Sequence, residues 1–365
     1  MASSTNKSHF HLHNHPGNSH LRWSRDIPPV LTVPSGSEIT LELPDGGGNQ
    51  ITRENATDGT ALTSFDLSRA DPGVGPIYIE GAEPGDVLRV DILAVEPLVD
   101  YGWTAIFPGF GLLSDEFATG DSGTENAGGV LKILDLGRPG TEDWVADRGY
   151  VVFRKGVREG KGGSSAPEDG VAKEEIRIPY RPFLGLVGLA PAEGEHSMIP
   201  PLRTGGNIDT RWCGVGSALF LPVEVPGALL SLGDGHVAQG DGEVCGTAIE
   251  TRMRASVRVT VEKGKEKRWV KSPWVLTAGT GATSGRGAAK GEYMCLGIDA
   301  DLREATRKAV RGVIEWLCAE KALERAEAYM LVSVAGMLRM CEVVDMPNYA
   351  IGCAIPLDIF VPLST

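Results

Sequence analysis

The chain of 365 residues has a formal net charge of −13 and 42% hydrophobic residues, so it is long enough to bury a substantial apolar core. A negative charge of this size repels nucleic-acid phosphates and anionic lipid surfaces, which argues against nucleic acid or a membrane as partner. No apolar run reaches the ~20 residues of a membrane-spanning helix, and the N-terminal residues lack the apolar segment of a signal peptide. We therefore expect a cytoplasmic protein whose six widely spaced cysteines are free thiols.

Two segments near the N-terminus have the pattern of a strand, a tight turn and a second strand. The first runs from Val30 to Leu43 around a Pro-Ser-Gly-Ser turn, and the second runs from Pro76 to Glu96. In the second segment apolar and polar residues alternate, so one face of the strand is expected to pack inward. Glycines and prolines punctuate short β-rich runs through most of the chain, which is typical of a sandwich or barrel.

Only the C-terminal region has a clear helical pattern. Apolar residues recur at three- and four-residue spacing from Ala300 to Cys318, where Asp299 or Asp301 is placed to cap the start, and again from about Leu323 to Cys341. A strand is expected from Tyr349 to Phe360. Together these elements predict an α+β fold, predominantly β, in which sandwich- or jelly-roll-like and barrel-like strands carry a C-terminal helix pair packed on sheet.

The predicted elements divide near the middle of the chain. We expect a mainly β-sandwich region over residues 1–180 and a β-rich catalytic region with a C-terminal α/β portion over residues 181–365. The alternative is a single intertwined domain.

The densest group of chemically capable residues lies between residues 205 and 250. Asp234 and His236 are two positions apart, so in an extended strand their side chains point the same way, which suits a shared metal ion. A mixed imidazole and carboxylate set suits zinc or a similar ion. Four more carboxylates lie in this stretch: Asp209, Asp241, Glu243 and Glu250. The competing interpretation is that GDGH and GDGE are two Gly-rich turns stabilised by their aspartates.

Two further features offer other chemistry. Cys245 is a candidate nucleophile with Glu243 as its base, since the two would share a strand face; a thiol between Val244 and Gly246 is also typical of a buried core cysteine. Five histidines near the N-terminus either bind metal or belong to a terminal strand with no such role. They are His9, His11, His13, His15 and His20.

The chain resembles the acetamidase/formamidase family over long irregular segments in the same order. These segments are LRWSRDIPP (21–29), PIYIEGAEPGD (76–86), PGFGLLSDEF (108–117), APAEGEHSMIPPLRTGGNID (190–209) and LPVEVPGALLSLGDGHVAQGDGEVCGTAIE (221–250). The resemblance implies hydrolysis of short aliphatic amides to the acid and ammonia, a fold containing a β-sandwich, and homo-oligomers. The family's central motif falls on Asn207, Asp209, Asp234, His236, Asp241 and Glu243.

The chain also departs from the family's pattern. Asp71-Pro72 stands where His-Pro is expected, and Trp212 follows the GGNID segment. These departures bear on which amide is the substrate more than on which reaction is catalysed.

From the residues and the resemblance together we predict an amidohydrolase that cleaves the C–N bond of small linear amides with a metal-activated water, zinc being the expected ion. The predicted metal ligands are Asp209, Asp234 and His236. The predicted proton carriers are Glu243 or Glu80, and the predicted substrate-binding groups are Asn207 and the backbone at Gly206. Gly-rich turns at 205–206, 233–235 and 240–242 are expected to leave room only for short acyl groups. The alternatives are a metal-free amidase with Cys245 as nucleophile and a non-catalytic β-sandwich that binds small molecules.

Overall fold

The computed structural model of the protein describes residues 9–117, 129–153, 175–279 and 290–361. The fold is α+β and predominantly β, which confirms the predicted class. The strands are β1 (His9–Leu12), β2 (Ser19–His20), β3 (Arg22–Trp23), β4 (Leu31–Pro34), β5 (Glu38–Leu43), β6 (Gly73–Glu80), β7 (Val87–Pro97), β8 (Tyr101–Ile106), β9 (Val130–Asp135), β10 (Tyr150–Val152), β11 (Arg177–Pro179), β12 (Phe183–Leu189), β13 (His196–Ser197), β14 (Gly205–Asn207), β15 (Ala218–Pro222), β16 (Leu230–His236), β17 (Met253–Glu262), β18 (Trp274–Leu276), β19 (Glu292–Asp299), β20 (Met337–Glu342) and β21 (Tyr349–Pro356). The helices are α1 (Arg53–Asp58), α2 (Ser114–Phe117), α3 (Val145–Arg148), α4 (Leu302–Lys321) and α5 (Arg325–Ala335).

Most strands belong to two sheets. The larger has nine strands in the order β1-β5-β17-β7-β15-β18-β19-β21-β20. The smaller has six strands, in the order β14-β12-β16-β6-β2 with β4 beside β6. Neighbours are antiparallel except for the parallel pairs β1–β5 and β4–β6. Three short pairs, β8–β9, β10–β11 and β13–β3, complete the described strands.

The two predicted strand-turn-strand segments each pass from one sheet to the other. β4 and β6 lie in the six-stranded sheet, whereas the strands that follow them, β5 and β7, lie in the nine-stranded sheet. Gly36, in the first turn, has φ 92°, a left-handed conformation that suits glycine. Because successive strands alternate between sheets, their inward side chains share one apolar core, to which Ile39 and Val90 contribute from one sheet and Ile77 and Leu232 from the other.

The first predicted C-terminal helix is confirmed as α4. Asp301 caps it, since its side chain accepts a hydrogen bond from the Glu304 backbone N–H at 2.8 Å. The second helix is shorter than predicted, and the expectation that it continues to Cys341 is wrong. Gly336 adopts an extended conformation after α5, and the apolar residues that follow form β20, which pairs with β21. Three-residue spacing in MLRMC does not distinguish a helix from an edge strand.

Both main sheets draw strands from either side of residue 180. The division into two regions at that residue stays a prediction. No helix within the described ranges has both the length and the apolar character needed to cross a membrane.

Candidate active site

A cluster of acidic side chains surrounds one histidine beside the end of β16. We call it the acidic centre, and its members are Asp71, Asp209, Asp234, His236, Glu243, Glu250 and Asp345. All of them except the half-buried Asp71 are at most 7% exposed. Burial of so many carboxylates is costly unless they are paired, protonated or bound to a cation. The centre therefore requires an explanation beyond packing.

The backbone of the acidic centre is held in an uncommon conformation. Asp71, Asp209, Asp234 and Glu243 have φ values of 51°, 36°, 47° and 46°, in the left-handed region that non-glycine residues rarely adopt. Such conformations persist only where the surrounding structure enforces them, and they concentrate at functional sites. Asp234 and His236 both lie within β16, and the Asp234 carboxylate faces the His236 ring.

Two glycines make room for the carboxylates. A Cβ at Gly185, on β12, would lie 2.3 Å from Asp209 Oδ1 and 2.4 Å from Asp234 Oδ2. A Cβ at Gly46 would lie 2.5 Å from Asp234 Oδ1 and 3.1 Å from Glu250 Oε2. Any side chain at either position would displace the acidic groups, so these glycines allow the close approach of backbone to the centre.

Gln239 fixes the orientation of the His236 ring. Its Nε2 donates to the Asp209 carbonyl at 2.6 Å, which leaves its Oε1 to face His236 Nδ1 at 2.9 Å. Because Oε1 can only accept, Nδ1 carries the proton in the neutral ring. Nε2 is then the unprotonated nitrogen and faces the carboxylates, which is the arrangement of a metal-binding histidine oriented by a second residue.

The atoms at the middle of the centre lack hydrogen-bond partners. His236 Nε2 lies 2.9 Å from Asp234 Oδ2 and 3.1 Å from Glu250 Oε2. Even so, Nε2, Glu250 Oε2, Asp234 Oδ1 and both carboxylate oxygens of Asp209 make no hydrogen bond. In each of three residue triads one ligand atom per residue lies within 4.8 Å of the others: Asp209–Asp234–His236, His236–Glu243–Glu250 and Asp209–Glu243–Asp345.

The charges of the centre are poorly balanced. Burial, reinforced by neighbouring carboxylates, raises the pKa of Glu250 to about 8 and that of Asp345 to about 7, and holds the pKa of Glu243 well above its ordinary value. Burial also opposes ionisation of Asp234, but the favourable charge interaction with His236 contributes to a pKa that is lowered overall. One imidazole cannot neutralise this many carboxylates, whereas a divalent cation would favour their ionised forms.

A cavity of about 280 Å³ opens beside the acidic centre. Its polar lining comprises Asp71, Asn207, Asp234, Glu243, Glu250 and Asp345, together with Thr247. Asn207 donates to Asp345 Oδ2 at 2.8 Å, and its Oδ1 is buried without a partner. A small polar molecule in the cavity would contact the carboxylates directly.

The structure brings most of the predicted site residues together, but not all of them. Asp209, Asp234, His236, Glu243 and Asn207 meet at the acidic centre and its cavity. Glu80 is exposed at the end of β6 and does not line the cavity, and a Cβ at Gly206 would face the ring of Trp23 at 3.3 Å. Asp241 pairs with Arg211 at 2.6 Å near the surface.

Two expectations from local sequence are wrong in the structure. Residues 243–246 form a turn, with Gly246 N–H donating to the Glu243 carbonyl at 2.7 Å, so Glu243 and Cys245 do not share a strand face. The glycines at 233 and 235 do not face the cavity either, because Cβ atoms there would meet the Pro72 carbonyl and Met253. Gly46 and Gly185 provide the close backbone approach instead.

Sequence reasoning missed several members of the site. Asp345 follows the C-terminal helices, far along the chain from the central motif, and no local pattern marks it. Asp71 was visible only as a departure from the family's pattern, and it lines the cavity. Gly46 lies in a run of three glycines that reads as an ordinary turn.

The N-terminal histidines lie outside the three triads. The rings of His9 and His11 stack on β1 with centroids 4.7 Å apart, and His20 Nε2 lies 2.7 Å from Ser231 Oγ. None of the five belongs to a metal-compatible group found among the described residues. Their role stays a prediction.

The site occurs in a chain with clear relatives. The sequence profile of the Acetamidase/Formamidase family matches residues 6–197 and 191–361. A formamidase of Methylophilus methylotrophus is 28% identical over 94% of this chain and 90% of its own length. An acetamidase of Mycolicibacterium smegmatis is 32% identical over 67% of this chain and 66% of its own length.

A solved structure is similar over the whole fold. The crystal structure of an acetamidase from Bacillus halodurans superposes with a TM-score of 0.76 at 27% identity, covering 96% of this chain and 98% of the other. The similarity therefore includes both main sheets and the segments that carry the acidic centre.

Proposed function

Because the chain belongs to the acetamidase/formamidase family, a group of hydrolases that act on non-peptide C–N bonds of linear amides, we propose that its acidic centre hydrolyses such an amide with the help of a bound divalent metal ion. The observation that carries the proposal is the set of buried, unpartnered atoms that converge there. His236 Nε2 and an Asp209 carboxylate oxygen lie within 4.8 Å of each other, and neither makes a hydrogen bond, which is the arrangement expected of metal ligands.

The donor set fits zinc or a similar ion. Asp209, Asp234 and His236 would hold it, since one nitrogen and two carboxylate ligands leave a position for substrate or water. Bound there, the ion would supply Lewis acidity and lower the pKa of a water ligand to about 7. Gln239 contributes by keeping the His236 proton on Nδ1, so that the lone pair of Nε2 remains available to a metal ion.

The remaining residues of the cavity supply proton transfer and positioning. Glu243, whose pKa burial raises, would take a proton from the attacking water and deliver it to the leaving nitrogen. Asn207 uses one N–H to hold Asp345, so its second N–H is the group we assign to the substrate oxygen. An unactivated amide needs all three aids: an activated nucleophile, oxyanion stabilisation and a proton for nitrogen.

Metal analysis combined with an ammonia assay tests the proposal. The purified protein should contain close to one divalent ion per chain and release ammonia from formamide or acetamide. Chelation should abolish ammonia release, and added zinc should restore it. Full turnover by metal-free protein would overturn the metal's role, and absence of ammonia from every amide would overturn the amidase assignment. Cytoplasmic location and a homo-oligomeric state stay predictions.

A further inference from the structure

The cavity beside the acidic centre has a large apolar wall that the hydrolysis of formamide or acetamide does not use. Phe65, Trp103, Phe107 and Phe110 line it, together with Leu62 and Ile199. The Phe65 and Phe107 ring centroids are 4.7 Å apart, and the Trp103 ring meets Phe107 edge-on at 6.4 Å. This wall is an ordered aromatic cluster, because hydrogen bonding of the Trp103 indole N–H to Asp45 at 3.2 Å fixes its largest ring.

Two neighbouring glycines place the aromatic wall directly beside the carboxylates. A Cβ at Gly46 would meet Asp234, Asp71 and Glu250, whereas a Cβ at Gly47 would lie 2.8 Å from Trp103 Cζ2 and 3.1 Å from Phe65 Cε2. Consecutive Cα atoms are only about 3.8 Å apart. A ligand whose reacting carbon lies at the acidic centre therefore extends onto the rings within a few bond lengths.

The volume of the cavity distinguishes small from large substrates. A protein cavity of about 150 Å³ lined by apolar side chains accommodates benzene. The cavity of about 280 Å³ has room for such a ring and an amide group together. Formamide or acetamide would leave the aromatic wall without a partner, so the binding energy available there would not be used.

We propose that the aromatic wall selects a primary amide whose acyl group carries an aryl ring, with phenylacetamide as its simplest representative; this inference rests on the proposed amidase function. Water adds to the carbonyl carbon and the C–N bond breaks. Both protons of the water pass to nitrogen, so the products are the arylacetate and ammonium. The aryl group lies on the acyl side, because the acidic centre favours the departing ammonium and the apolar wall favours the ring.

Relative specificity tests the inference on the unaltered enzyme. Matched assays of ammonia release should give a kcat/KM at least about tenfold higher for phenylacetamide than for acetamide, the scale on which apolar pockets discriminate. A ratio at or below one would overturn the aryl-selective pocket while leaving the amidase assignment intact. Failure of both amides, in contrast, would overturn the proposed function itself.

A cavity-filling variant locates the selectivity. Ala70 lines the cavity, is half-buried and has an extended backbone with φ −70° and ψ 157°, so a larger side chain meets no backbone restriction there. Ala70→Phe should lower the phenylacetamide-to-acetamide ratio of kcat/KM by about tenfold, by taking the space of the ring. The control Tyr329→Ala changes an exposed aromatic residue on α5, outside the cavity, and should leave the ratio unchanged.

Product inhibition distinguishes an aromatic wall that is open to aryl ligands from one that a second copy of the chain covers. Phenylacetate should inhibit acetamide hydrolysis competitively with a lower inhibition constant than acetate, and Ala70→Phe should remove the difference. Equal inhibition by the two acids would show that the aromatic wall is closed to ligands and would overturn the inference.

Discussion

The acidic centre and the helix-backed end of the nine-stranded sheet are both deeply buried, yet they are built on opposite principles. At the helix-backed end, α4 packs on β19 and β21, and the ring of Trp316 lies 5.2 Å from Tyr293 and 6.4 Å from Trp274. These residues bury apolar area in ordinary conformations, which stabilises the fold. The acidic centre instead gathers buried carboxylates around one imidazole, with unpartnered atoms facing each other, and four of its acidic residues have left-handed backbone conformations. The contrast indicates that local stability was given up for chemistry at the centre and supplied elsewhere.

Removal of the only imidazole in the acidic centre should give the largest effect on activity. His236→Ala leaves an oxygen-only site, which zinc disfavours, so we expect loss of most bound metal and of about three orders of magnitude or more in turnover. Metal content by mass spectrometry and ammonia release measure the two losses. Metal occupancy that survives the substitution would show that the ligand set is wrong.

A substitution at the helix-backed end should lower the stability of the fold and leave metal binding at the acidic centre unchanged. Trp316→Ala removes a nearly buried ring from α4, so the free energy of unfolding should fall by about 3–5 kcal/mol. Denaturant titration measures the loss, and the metal content of the folded fraction should stay at the wild-type value. A parallel loss of metal in folded protein would contradict the separation of the two regions.

The same contrast explains how much the sequence could predict. The start of α4, its cap at Asp301 and the spacing of its apolar face are local features, and they could be recognised without the fold. The pair Asp234 and His236 was accessible for a similar reason, because both lie on one strand. Gly185 reaches the centre through the pairing of β12 with β14 and β16, and Asp345 follows the end of β20, where Glu342 forms a β-bridge with Gly242; no local pattern predicts either contact between distant segments. For Glu243, the neighbouring residues predicted a strand, whereas the residue lies in a turn.

Loss of the proposed proton carrier should have the next largest effect. Glu243→Gln keeps the side-chain size but removes the proton acceptor, so turnover should fall by about two orders of magnitude while the fold is retained. Circular dichroism and the thermal midpoint check the fold, and metal analysis checks that the ligands are intact. Unchanged turnover in a folded, metal-loaded variant would remove Glu243 from the mechanism.

A single methyl group tests whether the acidic centre depends on its close backbone approach. Gly185→Ala would place a Cβ within 2.4 Å of the Asp209 and Asp234 carboxylates, so we expect at least about a tenfold loss of turnover and weaker metal binding. Gly240→Ala is the matched control, because a Cβ at this exposed position meets nothing within 4 Å. Equal activity of the two variants would show that the centre tolerates displacement of its ligands.

The smallest effect is expected at Cys245, where the metal-dependent and thiol mechanisms differ most clearly. The Cys245 Sγ lies 3.4 Å from the Thr247 carbonyl oxygen, to which the thiol donates, and the turn over residues 243–246 separates it from Glu243. A thiol without an adjacent base is a weak nucleophile towards an unactivated amide. Cys245→Ser should therefore keep turnover within about twofold of the wild type, since a hydroxyl at this half-buried position can still donate to the Thr247 carbonyl. A nucleophilic cysteine would instead lose nearly all activity on this substitution. If ammonia release falls to background while metal content stays constant, the acidic centre would be a binding or structural site, and Cys245 in the turn over residues 243–246 would be the nucleophile.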